Sequence, residues 1–385
     1  MTERFMLNKI AIRHFKAVRQ SGEVELTPLT VFIGNNGSGK SSLIEGLEAY
    51  SDIAVKGLDD AFERWLGLGH TWNKAVLHRR RSTKDRGDAY DNPISMNLKG
   101  RWGRGSFTCL LEVAPEVEGG QARIEKEFLK LPSGRLYRRD YTGQVESFND
   151  ETLERVRKVA PTESASPQDW SNMCRSWQFL RLNPDAMGMP NRTRSMGSFH
   201  VLERDGWSNI GQYLLSLRDA SVDAFEGYLD ALRFVMPYIR DLQTTVSDAI
   251  ERRAYLEMTE EDFKVPGWSL STGTLRVAAL LACLRHPTPP PLLIVEEIEN
   301  GLDPRTMHLI VEEIRAAITA ETTQVILTTH SPYLLDLLDL SHIVVVERHE
   351  GQPVFHRPDA GELANWAKDF SPGRLYTMGR LTRSL

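Results

Sequence analysis

The sequence predicts an α/β protein: a mixed β sheet flanked by helices, interrupted by a long insertion of helices and β-hairpins. Three observations predict it. A strand runs into a glycine-rich loop and then a helix between Leu29 and Tyr50. From Gly273 to Glu347, short apolar strands alternate with amphipathic helices, the pattern of a parallel sheet. Between them, Asp52 to Arg252 has no such regularity.

Taken in order, Leu7 to Phe15 and Glu23 to Ile33 alternate apolar with polar residues and read as two strands joined at Ser21-Gly22. Ser42 to Tyr50 follows the glycine loop as a helix. The insertion offers helical stretches near Asp59 to Leu66 and Asp150 to Val159, and strand-like runs at Phe107 to Val113, Arg123 to Leu131 and Arg135 to Tyr141. Asp205 to Leu217 and Val222 to Ile239 repeat apolar residues every three or four positions and read as amphipathic helices. Gly273 to Arg285 is an apolar helix, Leu292 to Val295 a buried strand, Thr306 to Ile318 a helix, and Gln324 to Thr328 and His342 to Glu347 further strands.

Composition narrows the class. The 385 residues carry 47 Lys+Arg against 52 Asp+Glu, a net charge of −5, too balanced for a nucleic-acid coat or a disordered acidic tail. Cys109, Cys174 and Cys283 lie far apart without CxxC spacing, which argues against a disulfide framework or a zinc site. No apolar run is long enough to cross a membrane, and Met1 to Asn8 lacks the apolar stretch of a secretory signal, so the expected location is the cytoplasm.

The loop Gly34-Asn35-Asn36-Gly37-Ser38-Gly39-Lys40-Ser41 meets the phosphate-loop pattern and sits in the context that pattern requires, after a strand and before a helix. Its glycines let successive N–H groups turn inward as an anion nest, and the N-terminal end of the helix, from Ser41 and Ser42 onward, adds positive field. Lys40 is expected to reach terminal phosphates, and Ser41 to offer its hydroxyl to magnesium. Such a loop alone does not choose among nucleotide chemistries. The strand Leu292-Leu-Ile-Val-Glu-Glu297 narrows the choice by delivering two carboxylates at its C-terminal end, where open α/β sheets place their chemistry. Successive side chains point apart, so Glu296 is assigned to magnesium and Glu297 to the attacking water. His330, at the end of the next strand, is assigned to the γ-phosphate or the water.

Beside these, Ser269-Leu-Ser-Thr-Gly-Thr-Leu-Arg276 resembles the signature motif of ABC-type ATPases, and Asn300-Gly-Leu-Asp-Pro304 resembles their D-loop. Thr328-Thr-His330-Ser-Pro-Tyr-Leu-Leu resembles their switch histidine in the form shared by the SMC, RecF and OLD branches. The opening Ile10-Ala-Ile-Arg-His-Phe-Lys16 with Leu29-Thr-Val-Phe-Ile-Gly34 is similar to the start of SMC/RecF-type heads. The stretch Pro287 through Pro304 and Glu362-Leu-Ala-Asn-Trp366 resemble bacterial AAA/ABC-type ATPases often encoded beside a nuclease in phage-defence modules.

The resemblance implies ATP and Mg2+ as ligands and a homodimer, or a higher homo-oligomer, closed around ATP. Ser271 and Gly273 of one protomer would face the γ-phosphate held by the other, with Asp303 of the D-loop nearby. It implies a head made of residues 1–52 and 253–347, an inserted arm or lid at 53–252, and an extension at 348–385. Two features depart from the family: the acidic pair is Glu296-Glu297 where Asp-Glu is usual, and Thr272 stands where transporters carry glycine. Gln178 is the one candidate for the Q-loop glutamine. A basic stretch with Arg79, Arg80, Arg81, Lys84 and Arg86 suits contacts to nucleic-acid phosphates, DNA or RNA, or, nearly as well, a partner protein. The favoured reading is an ATPase that regulates or scaffolds a separate, nuclease-like effector in anti-phage defence. A DNA-repair or DNA-clamping ATPase without a dedicated effector stays open, as does the less favoured nucleotide-binding subunit of a transporter.

Overall fold

The structure, a computed structural model, describes residues 4–75, 80–83, 87–90, 92–115, 122–140, 145–149, 166–192, 201–206, 210–246 and 253–382. The elements that position the site are, in chain order, β1 (Phe5–Phe15), β2 (Leu29–Ile33), α1 (Lys40–Lys56), β3 (Gln178–Leu180), α2 (Thr272–Leu284), β4 (Leu292–Val295), α3 (Pro304–Thr319), β5 (Gln324–Thr329), β6 (Ile343–His349) and β7 (Gln352–His356). Contacts divide the chain into a first unit, Met1–Arg175 with Ile343–Asp359 and Leu381–Leu385, and a second, Ser176–His342 with Ala360–Arg380.

In the first unit β1 pairs antiparallel with Val18–Gln20, Val24–Glu25 and Ile94–Trp102, and successive hairpins extend the sheet to Val145–Asn149. Alternate residues of β1 and its neighbours, Leu7, Ile10 and Ile12 with Met96, Leu98, Phe107 and Cys109, are buried on one face. Helix α1 lies close to that face: a Cβ at Gly46 would come within 2.4 Å of the Ile12 side chain. Strand β2, buried along its whole length, runs parallel to β6 with Val31 beside Ile343, and β6 returns as β7.

In the second unit β3, β4 and β5 are parallel, with Gln178 beside Leu293 and Leu292 beside Gln324. Strands β4 and β5 are buried throughout, as parallel strands covered on both faces must be. Nearly every side chain of α2 after its first turn is buried, whereas α3 buries one stripe. A smaller antiparallel sheet joins Ile239–Val246, Arg253–Glu260 and Phe263–Pro266.

Three expected elements come out differently. Glu23 to Ile33 is not one strand: Val24–Glu25 stays with β1, while Leu29–Ile33 leaves for β6. Pro28 lies at the break, where it offers no N–H to a ladder, and the Thr27 N–H turns to the Thr30 hydroxyl at 2.9 Å. The helix expected to reach Ile239 ends at Val235, two residues before Pro237, and Ile239 opens a strand. The helix expected near Asp59 to Leu66 is a single turn, Leu58–Ala61, followed by a 3-10 turn. The one expected at Asp150 to Val159 lies outside the described residues. Among the described residues no helix is long and apolar enough to cross a membrane. All three cysteines are buried thiols without a disulfide.

Candidate active site

The phosphate loop belongs to the first unit and is built by backbone. Gly37 and Gly39 sit at φ +75° and +112°, where side chains are strained. Space is equally restrictive: a Cβ at Gly34 would fall 2.1 Å from the Val346 carbonyl of β6, and one at Gly39 would fall 2.5 Å from the Pro353 ring of β7. The β6–β7 hairpin therefore backs the loop and requires glycine at both ends of it. No side chain caps α1 at Gly39 and no acid lies in its first turn, which leaves its end open to an anion. Lys40 is buried, its Nζ donating to the carbonyls of Gly34 (2.6 Å) and Asn35 (3.2 Å), so the ammonium is held beside the nest. The buried hydroxyl of Ser38 has no hydrogen-bond partner, an orphan that a phosphate oxygen would satisfy. Ser41 and Ser42 are half-buried in the first turn.

The acidic strand end belongs to the second unit and is built by side chains. Glu296, only 4% exposed, receives the Arg204 Nη2 on Oε1 at 2.9 Å. Glu297 turns the chain at φ +50°, an unusual conformation for a residue with a Cβ. Its N–H donates to the Thr328 hydroxyl at 2.9 Å, and its carboxylate accepts from Asn300 Nδ2 at 2.7 Å. The two adjacent acids therefore have different surroundings, one buried on an arginine and one half-exposed beside the D-loop. Glu299 accepts the backbone N–H of His330 at 2.5 Å, and its other oxygen is buried without a hydrogen-bond partner. His330 is half-buried directly after β5.

The signature and D-loop segments meet in this unit. Ser271, an exposed residue, is the N-cap of α2: its hydroxyl accepts from the Thr274 N–H at 3.1 Å. A Cβ at Gly273 would lie 2.5 Å from the Gly301 carbonyl, so glycine lets the helix start lie against the D-loop. Arg276, one turn on, donates to the Leu182 carbonyl at 2.9 Å. Burial pushes its guanidinium down from its ordinary value, and the charges of Glu297 and Glu299 pull the other way. Asp303 caps α3, accepting from the N–H groups of Arg305 (2.9 Å) and Thr306 (3.2 Å) and from the Thr306 hydroxyl. That hydroxyl, with the N–H groups, holds its carboxyl below the usual carboxylate range.

Within the first unit the structure thus brings Gly34 through Ser42 together. Within the second it sets Gly273 against the D-loop that ends at Asp303, joins Asn300 of that loop to Glu297, and joins Glu299 to the His330 N–H, while Ser271 caps the helix start and Glu296 is held on Arg204. The Gln178 amide is taken up by backbone, accepting the Leu202 N–H at 2.8 Å and donating to the Leu202 carbonyl. Arg79, Lys84 and Arg86 lie outside the described residues, and Arg80 and Arg81 are described only as backbone of the strand Arg80–Thr83. Arg204, Glu299, Arg276 and Thr328 were not among the expected site residues. Arg276 and Thr328 stood inside quoted motifs, while Arg204 had no pattern to reveal it. The Ser41 hydroxyl and the Glu296 carboxylate are hard oxygen donors of the kind Mg2+ takes, and the nest with the Ser38 orphan fits a phosphate. Among the described residues no cluster of three His, Cys, Asp or Glu could hold a metal unaided, so most ligands to Mg2+ would come from phosphate and water.

Residues 6–61 match the family described as "AAA ATPase domain", and residues 197–336 match the family described as "AAA domain, putative AbiEii toxin, Type IV TA system". These two stretches hold the phosphate loop and the acidic network. No curated protein matches. Similar solved structures include the SmcHead bound to the C-winged helix domain of ScpA (12% identity, 93% of this chain and 99% of that chain, TM-score 0.46). The SMC head domain from Thermotoga maritima is 13% identical over 92% of this chain and 99% of that chain, with a TM-score of 0.40. An Smc head with an extended coiled coil, bound to the C-terminal domain of ScpA and derived from Pyrococcus furiosus, is 12% identical over 95% and 99%, with a TM-score of 0.49.

Proposed function

We propose that the chain binds and hydrolyses ATP as an SMC/RecF/OLD-like ATPase, dimerises around the nucleotide, and regulates a separate effector in a defence setting. The observation that carries this reading is the bonded network of the second unit, in which Glu297, the D-loop and the start of the signature helix are in contact. A generic phosphate-loop enzyme has no need of an exposed, serine-capped helix start tied to its acidic strand. In an ABC-type pair, that helix start receives the γ-phosphate of the other protomer.

The loop residues Gly34 to Ser42 bind the phosphates, with the Lys40 ammonium as the fixed positive charge. Ser41 and Glu296 would hold Mg2+, which supplies charge neutralisation on the β- and γ-phosphates. Glu297 orients and polarises the attacking water, and Asn300 fixes the carboxylate that does so. Glu299 holds the backbone that carries His330, which bonds the γ-phosphate or the same water. The toxin–antitoxin wording of the second matched family supports the defence setting; that the effector is a nuclease rests on the family resemblance.

Ser271→Arg tests the pair. It places a charged side chain at the exposed start of α2 and costs about 1 kcal/mol of capping within its own protomer. The variant should bind ATP yet neither dimerise nor hydrolyse, and mixing it with Lys40→Ala should restore partial turnover through one intact composite site. Full hydrolysis by Ser271→Arg alone, at unchanged mass in light scattering, would reduce Ser271 to a helix cap.

A further inference from the structure

The proposed metal ligand is already engaged by an arginine, and the way that arginine is delivered is specific. Residues 202–205 run beside 178–183 and are fastened to them by backbone and amide bonds. Gln178 grips Leu202 at both its N–H and its carbonyl, the Arg181 N–H donates to the Arg204 carbonyl at 2.8 Å, and the Asn183 N–H donates to the Asp205 carbonyl at 2.9 Å. From the same stretch, the Leu180 carbonyl accepts the Glu296 N–H at 2.9 Å. Both partners of the pair therefore hang from one fixed strip of chain. Both backbones are thereby held in place.

The pair is unequal. Glu296 is 4% exposed and Arg204 is 34% exposed, so the carboxylate is committed to the interior while the guanidinium sits at its mouth. A carboxylate that deep needs a cation, since an uncompensated buried charge is costly. To displace a guanidinium from such a carboxylate takes a competing cation. Arg204 Nη2 bonds Oε1 at 2.9 Å, on the carboxylate that a divalent ion would also have to use.

We propose that Arg204 gates metal entry. Its guanidinium holds Glu296 against free divalent cations and yields the carboxylate to a cation that arrives on nucleotide phosphates. Metal and nucleotide then enter together, and the strip at 178–183 keeps the displaced arginine close enough to return. This rests on the reading of Glu296 as the metal ligand.

The test is a titration of Mn2+, followed by electron paramagnetic resonance, on the full chain carrying Glu297→Gln to suppress turnover. It is run with and without ATP. The parent should bind Mn2+ weakly alone and well with ATP. Arg204→Ala should tighten Mn2+ binding without nucleotide by about tenfold, the order expected for loss of one half-buried competitor. Arg204→Lys, which keeps a charge and the fold but loses the planar fork, should fall between. Equal or weaker Mn2+ binding in both variants, beside a parent that binds Mn2+ with ATP, overturns the gate alone. A parent that binds ATP but no Mn2+ overturns the assignment of Glu296 and the gate with it.

Discussion

Under the proposed function the phosphate loop and the acidic strand end each hold a charged ligand, and they do so with opposite materials. In the first unit the work falls to backbone: Gly37 and Gly39 supply conformations, Gly34 and Gly39 supply room against Val346 and Pro353, and one side chain, Lys40, supplies charge. In the second unit Glu297 and Gly301 also take positive φ, but the site is made chiefly by side chains in separate pairs: Arg204 on Glu296, Asn300 on Glu297, Glu299 on the His330 N–H. A backbone site should fail as a whole when its one charge is removed. A side-chain network should lose its functions one at a time.

The largest effects test that division. Glu297→Gln keeps shape and the bond to Asn300 but removes the charge. Turnover should fall about 100-fold or more with ATP affinity unchanged, and gel filtration with ATP should show more dimer than wild type. Lys40→Ala should do the reverse, weakening ATP binding about 100-fold in titration calorimetry, the loss of one charge-assisted phosphate contact of about 3 kcal/mol. Parallel losses of affinity in both variants would mean that the two regions do not divide binding from chemistry.

The same contrast explains what could be read from the sequence. A backbone site needs glycines at fixed spacing in a few consecutive residues, so Gly34 to Ser41 was legible complete. Strands β4 and β5 were legible because parallel strands buried on both faces are continuously apolar. The partners of the acidic network were not. Arg204 reaches Glu296 across 92 positions, and Glu299 reaches the His330 N–H across 31. No local pattern records pairings that only the fold brings about. The break at Pro28 was missed for a related reason: alternation continues through Glu23 to Ile33, but the two halves pair with different partners.

A smaller effect belongs to Glu299. Glu299→Gln keeps one acceptor for the His330 N–H but weakens it, so turnover should fall about tenfold while ATP affinity holds. The Glu299→Gln and His330→Ala losses should not add, because one residue acts through the other. Additive losses in the double variant would separate them.

The smallest effect separates the two roles open to Asp303. Its carboxylate accepts two backbone N–H groups and a hydroxyl in the first turn of α3, which is the work of a helix cap; the D-loop resemblance gives it a part in nucleotide binding. As a cap, Asp303→Ala should lower stability by about 1 kcal/mol and Tm by about 2–4 °C, while Asp303→Asn, a comparable cap, changes little. The acid dependence has a definite sign. The folded carboxyl titrates below its unfolded value, so its contribution is complete above the ordinary aspartate pKa of about 3.9 and is lost as pH falls toward the folded value. The gap between wild type and Asp303→Ala should therefore be full at pH 7 and shrink below about pH 4. If nucleotide binding uses the charge, Asp303→Asn will weaken ATP affinity at pH 7 with Tm intact. Asp303 would then belong with the side-chain network and not with the frame that supports it.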